Sequence, residues 1–367
     1  MKRTWSVALV VVFLAVCSAR ADQVTLKNGD RLTGTIVKSD DKEHTLLVKT
    51  EFAGDVNVKW DAISSIVSSQ PLHLTTKDGQ TIVGTVTASE DQFKVVTNTT
   101  GEVTAKKESI VAVRNDAEQK AYDTEIDRLR NPKLTDFWSG VLDTGLSLTR
   151  GNSESTTYTL AGKAARVTAK DKIGVYATAI YAKDNTTPPE RTTAHAIRGG
   201  VRFDLNLTPK LFVFGLTDFE YDEFQNLDLR NSIGGGLGYY LIKNERIQFD
   251  VFGGGTFLQE YFSVPINPAV SPATSRKSGE IIVGEELAAK IGSKLTLSER
   301  FAIYPNLSES GQYRFTFDTT AAIKLKSWLS WQSTFSDYYI SNPVPGKKTN
   351  DILLASGLRL QFGKGVF

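Results

Sequence analysis

The chain is poor in the residues that most often carry chemistry. Its 367 residues include one cysteine, one methionine and three histidines. Cys17 falls within a segment that reads as an export signal, so the mature chain is expected to have no thiol for a disulfide, a zinc site or a nucleophile. His44, His73 and His195 lie in separate segments, which leaves no Ser-His-Asp constellation and no metal cluster to assemble. No enzyme activity and no cofactor are expected. Long apolar runs are missing too: after the N-terminus nothing approaches the roughly 18 residues of a membrane helix. Any residence in a membrane must therefore be by strands. A formal net charge of +2 argues against a nucleic-acid binder and against an acidic tail.

The N-terminus supplies an address. Lys2 and Arg3 form a basic region, Val7 to Val16 an apolar one, and Ala19-Arg20-Ala21 places small residues around a cleavage point. Residues 1–21 read as a signal peptide and Asp22 as the first mature residue. The rival reading, a lipoprotein site at Leu14-Ala15-Val16-Cys17, meets bulky Val16 where small residues are favoured.

What the chain has in abundance is alternation with a period of two. In Gln312 to Lys326, Tyr313, Phe315, Phe317, Ala321, Ile323 and Leu325 share one face, while Arg314, Asp318, Lys324 and Lys326 take the other. The pattern outlasts the ordinary strand of about 5 to 6 residues and recurs from Trp138 to Phe362. That is the rhythm of a transmembrane β-barrel. About twelve strands can be drawn, with short turns near Lys170-Asp171, Thr208-Pro209, Lys243-Asn244, Gly292-Ser293 and Lys326-Ser327. The opposite connections are mostly longer. Short turns belong on the periplasmic side, which puts both barrel termini and everything before them in the periplasm. Trp138, Tyr239, Trp328 and Phe362 are expected in the periplasmic aromatic girdle, and Tyr221, Tyr261, Tyr313 and Tyr338 in the outer one. Glu285, Glu286 and Glu299 do not fit the alternation cleanly.

Ahead of the barrel lies an internal repeat. Lys27-Asn28-Gly29-Asp30-Arg31-Leu32-Thr33-Gly34 returns as Lys77-Asp78-Gly79-Gln80-Thr81-Ile82-Val83-Gly84, and Asn-Gly and Asp-Gly are turn pairs that tolerate positive φ. The closing segments match as well, Ala62-Ile63-Ser64-Ser65-Ile66 against Ser109-Ile110-Val111-Ala112-Val113. Each copy resembles a small Sm-like or SH3-like barrel, over residues 22–68 and 69–116. Such domains often bind RNA. Export and the lack of a basic stripe favour instead a spacer or a module that docks a periplasmic protein. Residues 117–134 read as a short linker helix at the barrel rim, stopped by Pro132, and residues 135–367 as the barrel, giving an all-β fold class.

The barrel segment resembles the YdiY-like salt-induced outer-membrane protein family, a domain of unknown function. The resemblance rests on Gly145-Leu146-Ser147-Leu148-Thr149-Arg150-Gly151-Asn152-Ser153, on Tyr221-Asp222-Glu223-Phe224-Gln225-Asn226-Leu227-Asp228-Leu229-Arg230, and on Gly234-Gly235-Gly236-Leu237-Gly238-Tyr239. Gly284-Glu285-Glu286-Leu287 and Tyr304-Pro305-Asn306-Leu307-Ser308-Glu309-Ser310-Gly311 complete it. It implies an outer-membrane barrel, expression tied to salt or osmotic stress, and no catalytic residues. The end of the chain, Gly357-Leu358-Arg359-Leu360-Gln361-Phe362, resembles the signal read by the outer-membrane assembly machinery through Gly357, Leu360 and Phe362, unless Phe367 closes it in a shifted frame.

Inward positions define the candidate site. Arg198, Arg202, Asp204, Asp218, Glu220, Asp222, Arg230, Arg314, Asp318, Lys324 and Arg359 are expected to line the lumen, with Asp222 and Arg230 meeting across a hairpin. Asp218, Glu220 and Asp222, with Glu223 beside them, have the hard oxygens of a calcium site, but pairing with arginine is the better reading. Two functions remain open: a narrow small-solute pore or solute-binding barrel, and a non-conducting envelope protein whose repeats dock a partner. Lipid and lipopolysaccharide are the expected surroundings of either.

Overall fold

The computed structural model describes residues 21–40, 43–89, 92–98, 101–149, 154–184, 186, 189–266, 269 and 272–363. Residues 1–20 of the signal peptide, Cys17 among them, Arg150-Gly151-Asn152-Ser153 and Phe367 lie outside them. Two compact units are present, one ending at Asn131 and the other beginning at Pro132.

The first unit contains β1 (Asp22–Leu26), β2 (Arg31–Asp40), β3 (Thr45–Thr50), β4 (Gly54–Lys59) and β5 (Ile63–Val67). The second repeat gives β6 (Leu72–Thr76), β7 (Thr81–Ala88), β8 (Gln92–Thr97), β9 (Gly101–Lys106) and β10 (Ile110–Asn115). The repeated turns form as their sequence dictates: Gly29 and Gly79 take φ of 90° and 83°, where a side chain is strained. The repeats do not close as two separate barrels, however. They build one six-stranded ring, β1-β5-β7-β6-β10-β2 and back to β1, in which the last strand of each repeat pairs with the second strand of the other. The reason is the core. Val24, Ile36, Leu46 and Ile66 of one copy pack with Leu74, Val86, Phe93 and Val113 of the other in a single buried cluster, so neither copy has a complete interior alone. The copies also meet at their short 3-10 turns, where Lys107 of the second donates to the carbonyls of Trp60 and Ile63 of the first. Helix α1 (Asp116–Arg130) follows, capped by the Asn115 side chain, which accepts the Glu118 amide at 2.9 Å.

The second unit is a closed antiparallel barrel of twelve strands. They are β11 (Trp138–Thr149), β12 (Ser155–Val167), β13 (Asp171–Asp184), β14 (Arg191–Asn206), β15 (Leu211–Asp222) and β16 (Leu227–Lys243). The remaining six are β17 (Ile247–Phe262), β18 (Ser275–Ile291), β19 (Leu295–Pro305), β20 (Tyr313–Lys324), β21 (Leu329–Ile340) and β22 (Asn350–Phe362). Every strand pairs with its sequence neighbour, and β22 returns to β11 with Gly140 opposite Phe362 and Asp143 opposite Arg359. The outer wall is apolar: Ile197, Val201, Phe203, Leu205, Ile233, Leu237, Leu358 and Leu360 are all exposed. Such a surface needs lipid as its solvent.

The girdles hold with one correction. Tyr239, Trp328 and Phe362 are exposed at the short-turn end and Tyr261 and Tyr313 at the long-loop end. Tyr338 is not part of a girdle, because its register partner is Thr316, on the face of Asp318, and the ring points inward. Tyr339 takes the lipid side instead, stacked on Phe315 with centroids 5.2 Å apart.

Candidate functional site

The period of two that turns leucine and phenylalanine outward turns a large set of charges inward. In one row they meet as direct cross-strand partners. Arg198 on β14 faces Glu220 on β15, Glu220 faces Arg230 on β16, Arg230 faces Glu260 on β17, and Glu260 faces Arg276 on β18. The result is a belt of alternating sign, with N···O separations of 2.8 Å for Arg198–Glu220, 2.5 Å for Arg230–Glu220 and 2.7 Å for Arg230–Glu260. Arg276 closes it on Glu260. The Glu260 side chain is 1% exposed. Beside the belt, Arg314 grips Glu280 with two bonds of 3.0 and 2.8 Å, and its guanidinium lies 3.6 Å from the Tyr304 ring centroid.

A second row uses the carboxylate that did not fit the sequence pattern. Glu286 is inward, accepts hydrogen bonds from Arg202 at 3.0 Å and Lys172 at 3.5 Å, and is in ion-pair contact with Arg300 at 3.0 Å. Its neighbour Glu285 has Val251 and Phe301 as register partners and so belongs to the lipid-facing set, as does Glu299 opposite Leu287. Arg202 also pairs with Asp204 at 2.7 Å and is surrounded by rings, with its guanidinium 4.7 Å from the centroids of both Phe214 and Phe252. Those rings belong to an apolar cluster inside the lumen: Phe212, Phe214, Leu216, Tyr240, Phe252, Ile282, Ala302 and Tyr304. Glycine makes the room. A Cβ at Gly238 would collide with the Phe212 ring, and one at Gly284 would stand 2.6 Å from the Phe252 ring.

The barrel seam carries its own buried pair, Arg359 donating to both oxygens of Asp143 at 2.7 Å. Two carboxylates are held by hydroxyls instead of arginine. Asp218 accepts from Tyr176 at 2.8 Å, and Asp318 accepts from Ser336 at 2.6 Å and Tyr338 at 2.9 Å.

Ten of the sequence-derived lumen residues therefore enter this network: Arg198, Arg202, Asp204, Asp218, Glu220, Asp222, Arg230, Arg314, Asp318 and Arg359. One expected contact is wrong. Asp222 does not meet Arg230; a shift in register between Glu220 and Asp222 puts it opposite Leu227. It caps the turn by accepting the Phe224 and Gln225 amides and lies 3.8 Å from Arg198. Lys324 stands apart at the short-turn mouth, exposed. Asp143, Lys172, Glu260, Arg276, Glu280, Glu286 and Arg300 were missed. Glu260 was readable, since Phe257 and Tyr261 put it on the opposite face, whereas Glu286 needed the strand's register.

These features define a transmembrane β-barrel of the outer-membrane type, with charged residues paired inside and an apolar exterior. Residues 142–362 match the family model described as "Protein of unknown function, DUF481". The chain belongs to that family. Among solved structures the chain is similar to the NanC porin, with 10% identity and a TM-score of 0.36 over 60% of this chain and 97% of that one. It is also similar to the KdgM porin, with 7% identity and a TM-score of 0.33 over 61% and 99%. The translocator domain of the autotransporter NalP from Neisseria meningitidis matches at 12% identity and a TM-score of 0.33 over 67% and 98%. These superpositions are loose, and the barrel assignment rests on the closed register. No curated protein matches the chain.

Proposed function

We propose that the protein is an outer-membrane barrel whose lumen is shut by its own side chains, and which anchors the N-terminal ring on the periplasmic side. One observation carries this reading: Glu260, an inward carboxylate of the charged belt, has a side chain 1% exposed, where a water-filled channel would leave it wet. Twelve strands fall between the roughly 8-stranded barrels that side chains fill and the 16 to 18-stranded porins that keep a channel. The belt and the aromatic cluster support reading this interior as one of the filled kind. Export by residues 1–21 and the short turns beside both barrel ends support the periplasmic side for the ring.

On this reading the partners are outer-membrane lipid and lipopolysaccharide, the assembly machinery reading Gly357, Leu360 and Phe362, and a periplasmic protein docking on the ring. No catalytic step is involved. Expression raised by salt, the expectation drawn from the family resemblance, is part of the proposal and is tested by transcript level after osmotic upshift. In a planar bilayer the purified protein should give no single-channel steps, and defined conductance steps would overturn the closed-lumen reading. A solute-binding barrel is the second reading, favoured by two cavities at the short-turn end, about 300 and 440 Å³ in volume.

A further inference from the structure

The lumen's arginines and three of the lysines at its short-turn mouth are treated differently. Arg198, Arg202, Arg230, Arg300, Arg314 and Arg359 each have a carboxylate within 3.0 Å. The cavity of about 300 Å³ at the mouth is lined by Lys290, Lys294 and Lys324, and no carboxylate pairs with any of them among the described residues. All three are exposed. No acidic residue lines this cavity; the other polar groups in its wall are serine, threonine and glutamine side chains together with backbone. One of these is Ser139, 2% exposed, whose hydroxyl finds no hydrogen-bond partner among the described residues. Ser330 is also buried there, 4% exposed.

Three lysines on the wall of one cavity, with no paired carboxylate among the described residues, raise the local potential and attract an anion. Lysine suits the task, because its ammonium is a hydrated, mobile point charge that adapts to an oxyanion, whereas the planar arginine fork is fixed on its carboxylate. From this arrangement we infer that the mouth is an oxyanion-binding vestibule, which takes a phosphate-class group through Lys290, Lys294 and Lys324. The inference stands whether or not the lumen conducts, since the site lies below the charged belt and needs no passage through it. The phosphate can be carried by a small soluble anion or by a phospholipid headgroup of the facing leaflet, and both have the same recognising chemistry.

Full-length protein in nanodiscs of phosphatidylcholine, titrated calorimetrically with inorganic pyrophosphate, is the test. Binding is expected, weakening as salt rises. The triple variant Lys290→Gln, Lys294→Gln, Lys324→Gln should bind at least about tenfold more weakly, while heat-modifiable gel mobility shows that its barrel is intact. Repeating the titration in discs containing phosphatidylglycerol separates the sources. Undiminished binding there upholds the vestibule as a site for soluble anions, and competition by the lipid upholds it as a headgroup site. No binding in either disc, or equal binding by the folded triple variant, overturns the proposal. So does a loss that the single variant Lys163→Gln, at an inward β12 position that does not line the cavity, reproduces in full.

Discussion

The N-terminal ring and the barrel are written in the same alternating code and fold it in opposite senses. In the ring, Val24, Ile36, Leu46, Val48 and Leu74 are wholly buried, and among its described charged residues Asp22 alone is buried, its carboxylate accepting the Ile36 and Ser69 amides. In the barrel, Val201, Ile233 and Leu237 face out, 45 to 56% exposed, and the buried positions include Arg230, Glu260, Glu280 and Arg359. Alternation fixes only that two faces differ. Strand length decides which one turns inward: the ring's strands have 5 to 10 residues, enough for a small core, while barrel strands reach 17 and can span a bilayer.

The largest expected effect tests the barrel's polar interior. Arg230 lies between Glu220 and Glu260, so Arg230→Ala leaves two buried carboxylates with only one arginine each, Arg198 and Arg276, and should cost about 3 to 5 kcal/mol. The readout is the urea midpoint of the heat-modifiable folded band. A cost below about 1 kcal/mol would mean that water reaches the belt. Its counterpart in the ring is Leu74→Ala, which opens a cavity in the shared core and should cost about 2 to 5 kcal/mol. Because one cluster joins both repeats, protection of amides in β2 and β7 should fall together in hydrogen exchange. Loss confined to the second repeat would argue for two independent cores.

A third substitution addresses the exterior. Val201 is 45% exposed near the middle of β14, and Val201→Arg should cost about 2 to 4 kcal/mol if its depth is the bilayer midplane. The same valine changed to leucine should be close to neutral, because lipid imposes no jigsaw. A soluble β-sandwich would give the reverse order, with the charged residue tolerated on a wet face.

Much of this was legible in the sequence, for a physical reason. A side-chain period of two survives any amount of twist, so the inward set of β14 (Arg198, Arg202, Asp204) could be read without coordinates, and so could the strand number from the spacing of turns. Cross-strand register could not. A one-residue shift between Glu220 and Asp222 gives Arg230 to the former, and nothing in the local pattern marks it. The placement of Tyr338 failed similarly: two adjacent tyrosines, 338 and 339, satisfy a girdle equally well in sequence, and only pairing with Thr316 turns the first one inward. The ring exposes a different limit. A repeat reveals that two copies are alike, but whether each closes on itself or exchanges its last strand depends on contacts between copies.

The smallest effect separates the two repeats from each other. The turn of the second repeat is held by Asp78, whose carboxylate accepts from the Thr76 hydroxyl and from the Gln80 amide, and these bonds, the Thr76 one foremost, hold its pKa below the ordinary carboxylate range. The first repeat has neutral Asn28 in the same place, its side-chain oxygen accepting the Asp30 amide at 3.1 Å. A depressed carboxylate contributes stability above its unfolded pKa and loses it as pH falls through the lower folded value. Acidification below about pH 4 should therefore loosen the Gly79 turn while the bond made by the Asn28 side chain persists, since an amide has no proton to gain there. Amide exchange at Gly79 and Gly29, followed by NMR from pH 6 to pH 3, makes the comparison within one molecule. Asp78→Asn should remove the difference, and if the variant keeps the acid step, protonation elsewhere in the ring is responsible and the carboxylate of the turn is not its origin.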